Sequence, residues 1–227
     1  MPLILSIETA TKLCSVALAR DGAVLAMREE ESDRHTHAER INVFIDEVIR
    51  EAGVVLADLD AVAVGIGPGS YTGLRIGLSA AKGLCYALDK PLIGVSTLGT
   101  LVAAVRKAHV SGRSYWPMID ARRMEVFTQE FDEQGQAIGT VNPLVLDEAG
   151  AVDAKDVVVF GDGADKAAEL WVGRQGVEFI VGIRPHASAM SAEAERRFAE
   201  KRFDDLAYLV PEYGKAANVT QPRKHGT

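Results

Sequence analysis

The chain has 227 residues, 48% of them hydrophobic, and a formal net charge of -7, which suits one large domain or two small ones with a proper core. The acidic balance argues against a protein that grips nucleic acid unaided, because phosphate contacts need clustered Lys and Arg, and the one basic cluster, Arg223, Lys224 and His225, reads as a solvated terminus. There is no run of about eighteen apolar residues, MPLILSIETA lacks a basic flank and a cleavage site, and Cys14 and Cys85 sit in apolar patterns. A cytoplasmic chain with no membrane segment, disulfide framework or zinc site is expected.

Residues 3–8 (LILSIE), 14–20 (CSVALAR) and 23–29 (AVLAMRE) are short runs of strand formers, with Asp21-Gly22 as a tight turn between the last two. Ser32 or Asp33 can cap a helix in which Ile41, Phe44, Ile45, Val48, Ile49 and Ala52 fall at helical spacing before Gly53. LDAVAVGIG (59–67) reads as a buried strand, 70–88 as a helix, LIGVS (92–96) as a strand and 97–108 as a helix. Right-handed crossovers then place the last two strands parallel beside the first. This is the order of ribonuclease-H-like domains, including each half of the sugar kinase, Hsp70 and actin superfamily. SYWPMID (114–120) and MEVFTQEFD (124–132), paired around Ala121, Arg122 and Arg123, repeat the opening faintly, followed by VVVFGDG (157–163) and a short helix through Trp171. The expectation is an α/β chain of two such subdomains, 1–108 complete and 109–227 reduced, without periodicity after Tyr213.

In nucleotide-binding members of that superfamily the first hairpin supplies an acid and small hydroxyls to phosphates and a metal-bound water, and SIETATKLCSVAL offers Glu8, Thr9, Thr11 and Lys12. One carboxylate and two threonines at a strand end are also ordinary turn chemistry. A small phosphotransferase would need a second phosphate clamp and a catalytic acid. FGDGADK (160–166) is the sole source, and Asp162 or Asp165 there also suits a helix cap. A nuclease would need gathered carboxylates for two metal ions, yet the fourth strand ends in Gly67-Pro68, with Asp58 and Asp60 at its other end. His35 and His37 diverge at a helix start with no third ligand nearby, so a surface or interface role is expected of them. GPGSYTG lacks the glycine that a nucleophile elbow places after its serine, and Ser70 reads as a helix cap.

GIGPGSYTGLRIGLSAAKGL (65–84) begins a stripe of Tyr71, Leu74, Leu78, Ala81, Cys85 and Leu88, beside a face of Gly73, Gly77, Ala80 and Leu84. A helical glycine costs roughly 1 kcal/mol against alanine, so Gly73, Gly77 and Gly83 together cost about 3 kcal/mol unless a close neighbour offsets it. That neighbour is either a partner protein, to which helix 33–52 would add Arg34, His37, Arg40 and Phe44, or the chain's own core. The spacing leaves both open.

IETATKLCSVAL, HAERINVFIDEVI, GIGPGSYTGLRIGLSAAKGL, GVSTL, DARRMEVF and PEYGK, in this order, resemble the TsaB (YeaZ) family. That family is the non-catalytic partner subunit of the bacterial machine that makes the threonylcarbamoyl modification on the adenosine beside the tRNA anticodon. The resemblance implies no catalytic residue on this chain. It implies docking on a TsaD-type catalytic subunit through the helix pair 33–52 and 70–88, at Arg34, His37, Arg40, Phe44, Ser70, Tyr71, Gly73, Leu74, Gly77, Leu78 and Ala81. The same face would form a homodimer when that subunit is absent. A TsaE-type ATPase is the implied third partner, with tRNA contacted only through the complex. No cofactor is expected on the isolated chain, and ATP or ADP would sit in the assembly. In the catalytic subunit two histidines bind the metal where this chain has Thr97 and Leu101, and leucine cannot ligate a metal. The resemblance is to the helper and not to the enzyme.

Overall fold

The computed structural model describes residues 2–32, 36–108, 112–147 and 156–215. Asp33, Arg34, His35 and the tail cluster Arg223, Lys224 and His225 lie outside them. Leu3–Glu8 (β1), Leu13–Arg20 (β2) and Ala23–Glu31 (β3) form an antiparallel meander, and Ala61–Gly67 (β4) and Leu92–Ser96 (β5) extend it in parallel to give the order β3-β2-β1-β4-β5. Asp21 and Gly22, at φ 51° and 70°, close the β2–β3 hairpin in the left-handed conformation such a two-residue turn demands.

β1 is buried along its whole length, as a continuously apolar central strand must be when both faces of its sheet are covered. Alternation assigns its side chains. Leu3, Leu5 and Ile7 meet His37–Glu51 (α1) and Tyr71–Leu88 (α2), while Ile4, with Ala61, Ala63 and Ile93, meets Ala187, Met190 and Ala194 from the other side. Cys14 and Cys85 are free and buried in the first of these cores, where burial pushes both thiols up to about 11. α1 starts at His37 with Thr36 in the cap position, so Ser32 does not cap it.

The second sheet repeats the first strand for strand. Ser114–Asp120 (β6), Glu125–Phe131 (β7), Ala137–Val145 (β8), Val157–Phe160 (β9) and Val177–Ile180 (β10) lie in the order β10-β9-β6-β7-β8, with the same pattern of antiparallel and parallel pairs. The reduction is in the helices, because the segment after β9 forms only the four-residue Asp162–Asp165 (α4). β8 and β10 are strands that the sequence pattern does not announce. Thr97–Ala108 (α3) turns Leu98, Leu101, Val102 and Val105 onto the second sheet, and Ser191–Ala199 (α5) returns to the first. Among the described residues no helix is long and apolar enough to cross a membrane.

Candidate functional site

The loop from β4 into α2 is built by close approach. A Cβ on Gly67 would fall 2.5 Å from the Glu212 carbonyl oxygen, and one on Gly69 would fall 2.3 Å from that of Ala10. The Ser70 N–H donates to the same Ala10 oxygen at 2.7 Å, and Ser70 Oγ accepts the Gly73 N–H at 3.2 Å, capping α2 as its sequence predicts. One turn on, a Cβ at Gly73 would lie 2.1 Å from the Thr9 carbonyl oxygen and one at Gly77 would lie 2.3 Å from Thr9 Oγ1, which donates to the Gly73 carbonyl at 2.8 Å. The close neighbour these two glycines admit is therefore Thr9 of the chain's own β1–β2 turn, its backbone at Gly73 and its side chain at Gly77. Gly83 meets nothing within 4 Å.

This packing turns much of the expected docking face inward. Gly73, Leu74, Gly77, Leu78 and Ala81 are buried, and Phe44 lies in the core of the first sheet. His37, expected in a surface or interface role, is 2% exposed, with Nε2 2.7 Å from the Thr11 carbonyl oxygen. Its place four residues before Ile41, on the buried stripe of α1, was the available signal. Arg40 pairs with Glu30 at 2.6 Å and lies 5.2 Å over the Phe44 ring, holding α1 to β3. Tyr71 is exposed, and Ser70 and Arg40 are half-buried.

A groove between α1 and α2 remains open, lined by Ala38, Ile41, Asn42, Tyr71, Thr72, Arg75, Ile76, Ser79 and Ala80. The reading by apolar stripes missed Asn42, Thr72, Arg75 and Ser79, which occupy the opposite helix phase and are exposed. At one end Arg75 lies 3.9 Å over the Tyr71 ring and donates from Nε to the Tyr213 hydroxyl at 2.9 Å.

Between the two sheets runs a cleft of about 720 Å³, walled by Ala10, Thr11, Lys12, Gly69 and Ser70 on one side and by Asp120, Arg122, Arg123 and Asp162 on the other. The proposed phosphate set divides there. Thr11 and Lys12 line the cleft, whereas Glu8 and Thr9 are fully buried beneath it. Glu8 Oε1 accepts the Thr9 and Ala10 N–H groups at 2.9 and 2.8 Å, and Oε2 accepts the Thr97 hydroxyl at 3.1 Å. Burial outweighs these bonds and pushes its carboxyl up to about 7. Thr97 thus holds the acid of β1, and Leu101 packs in the second core, at the positions where the resemblance sets metal-binding histidines of the catalytic subunit.

On the far wall Arg122 and Arg123 are exposed at φ 73° and 51°, a conformation that costs side-chain-bearing residues about 1 kcal/mol or more each. Lys166 reaches Asp120 and the Glu125 carbonyl oxygen. Neither acid of FGDGADK caps a helix, since Gly161 takes that position. Asp162 accepts the Asp120 N–H at 3.0 Å and is pushed up by burial, and Asp165 pairs with Arg184 at 2.7 Å. Among the described residues no group of His, Cys, Asp and Glu could hold a metal ion.

The family model for tRNA N6-adenosine threonylcarbamoyltransferase, TsaD, matches residues 29–212. The Escherichia coli (strain K12) protein named tRNA threonylcarbamoyladenosine biosynthesis protein TsaB is 42% identical over 145 residues, 63% of this chain and 62% of that protein. The Bacillus subtilis (strain 168) protein of the same name is 29% identical over 222 residues, 95% of each chain. This chain therefore spans less than two thirds of the first relative and nearly all of the second. Among solved structures, YeaZ from Pseudomonas aeruginosa superimposes with a TM-score of 0.77 at 28% identity, over 94% of this chain and 100% of that one. With the duplicated sheet order and the glycine-built start of α2, these likenesses agree: the chain belongs to the TsaD-type family and, within it, to the TsaB (YeaZ) branch.

Proposed function

We propose that the chain acts in tRNA threonylcarbamoyladenosine biosynthesis as a cytoplasmic, non-catalytic subunit that docks on a TsaD-type transferase through the outer face of α1 and α2. The groove between those helices carries this reading. Ala38, Ser79 and Ala80 are small enough to let another helix approach closely, and Tyr71 and Arg75 are of the types that anchor interfaces. Two relatives named for this pathway, one of them similar along 95% of its length, support the process.

The absence of a catalytic task is supported by how the first hairpin is used. Glu8, the acid a phosphotransferase would need in the cleft, is held internally by Thr9, Ala10 and Thr97. On this reading ATP or ADP binds in the assembled complex, and this chain presents Lys12 from one wall of its cleft and Arg122 and Arg123 from the other. A TsaE-type ATPase is the third member, and tRNA is contacted through the complex. The chain pairs with a second copy through the same face when the transferase is absent.

The direct test reconstitutes tRNA threonylcarbamoylation with the cognate partner proteins, with and without this chain. Modification should disappear on omission, and the chain alone should produce none. A reaction that runs equally well without it would remove the proposed role.

A further inference from the structure

After α5 the chain crosses back over the first lobe and, by residue 215, reaches the second. Asp204 Oδ2 accepts the Gly94 N–H at 2.7 Å and an Arg197 guanidinium N–H at 3.0 Å, Lys82 donates to the Ala207 carbonyl at 3.2 Å, and the Glu212 N–H reaches the Ile66 carbonyl at 2.7 Å. These bonds pin the segment to α2, β4 and β5. Beyond them Tyr213 lies against Tyr71, ring centroids 4.6 Å apart and 32° from parallel, and its hydroxyl accepts the Arg75 Nε–H at 2.9 Å. Gly214 abuts Phe127 of β7, where a Cβ would fall 2.6 Å from the ring, and Lys215 pairs with Glu125. Three consecutive residues thus grip both the end of the groove and the second lobe.

Arg75 and Tyr71 are exposed, and a solvent-facing arginine ordinarily samples many rotamers. Here stacking from Tyr71, a hydrogen bond from Arg75 to Tyr213 and the anchored backbone of the strap hold one arrangement. Ordering side chains before association removes a cost that binding would otherwise carry. We propose that Tyr213 is a positioning residue of the docking face: it fixes the Tyr71 and Arg75 side chains in advance of the partner. This rests on reading the α1/α2 groove as the docking site.

Three variants of the full chain test it: Tyr213→Ala, Tyr213→Phe, and Tyr86→Ala as a control on an α2 ring that is 83% exposed. In the isolated chain, the NMR order parameter of the Arg75 Nε–H group should fall below about 0.6 in Tyr213→Ala, take an intermediate value in Tyr213→Phe, which keeps the ring but not the acceptor, and stay unchanged in Tyr86→Ala. Titration with the TsaD-type transferase should show affinity weakened about tenfold by Tyr213→Ala and less by Tyr213→Phe. An Arg75 order parameter that ignores Tyr213 overturns the positioning role whatever the transferase does. A looser Arg75 with transferase affinity within about twofold of the unmodified chain overturns its link to docking. If the unmodified chain does not bind the transferase while Arg75 still responds to Tyr213, the docking reading fails and takes this task of Tyr213 with it.

Discussion

Gly77 and Gly83 lie on one helix and should respond to alanine with opposite signs. The Cβ of Gly77→Ala would meet Thr9 Oγ1 at 2.3 Å, so the substitution should cost about 2 kcal/mol in urea unfolding as the β1–β2 turn and α2 are forced apart. Gly83→Ala adds its Cβ to open space and should gain about 0.5–1 kcal/mol. Equal effects at the two positions would contradict the packing described. Glu8 gives a pH signature. Its carboxyl titrates near 4.5 in the unfolded chain and at about 7 when folded, so between those values only the folded chain holds the proton. Stability therefore falls as pH rises through that window and levels off above it, by up to about 3 kcal/mol. Glu8→Gln keeps an acceptor for the Thr9 and Ala10 N–H groups and should flatten this part of the profile in unfolding measured at about pH 5 and about pH 8. An unchanged slope would mean that Glu8 is not its source. The sequence placed Glu8 at the correct strand end but could not say which way its carboxylate turns, because Thr97, its partner, stands 89 residues away.

At the scale of elements, the first lobe was legible because each segment carries its own signal: short runs of strand formers in β1 and β2, helical spacing in α1, and a serine cap with glycine close approach in α2. The cap gives a prediction. Ser70→Ala leaves the Gly73 N–H without its acceptor and should destabilise the chain by about 1 kcal/mol, read as a lower urea midpoint at unchanged slope. No change in midpoint would show that the cap contributes nothing. β8 and β10 were not legible, and both are edges of their sheet. β8 is exposed at most positions and contains Gly139, Asn142 and Pro143, residues that normally mark turns. β10 has four half-buried residues. Such strands are fixed by pairing with β7 and β9 rather than by any face of their own, so no periodicity announces them. Most of the residues expected on a docking face are buried for a related reason. Small residues signal close approach, but the pattern does not say whose backbone approaches.

At the scale of the whole molecule, two copies of one sheet order meet around α3, and Arg184 ties them at the rim, donating to Glu31 of β3 at 3.1 Å and to Asp165 of α4 at 2.7 Å. The cleft between the lobes keeps Lys12, Arg122 and Arg123 on its walls, while the acid of the first hairpin has become a structural brace. What distinguishes the molecule outwardly is the groove beside that cleft, sharing Tyr71 with it. On the function proposed above, this groove receives the transferase. The most direct measurement is a calorimetric titration of the TsaD-type transferase into the unmodified chain and into Ser79→Arg, which places a long cation on an exposed wall of the groove. The unmodified chain should bind, and the variant should bind at least about tenfold more weakly with its melting temperature essentially unchanged. Equal affinity of the two proteins, or no binding by either, would contradict it.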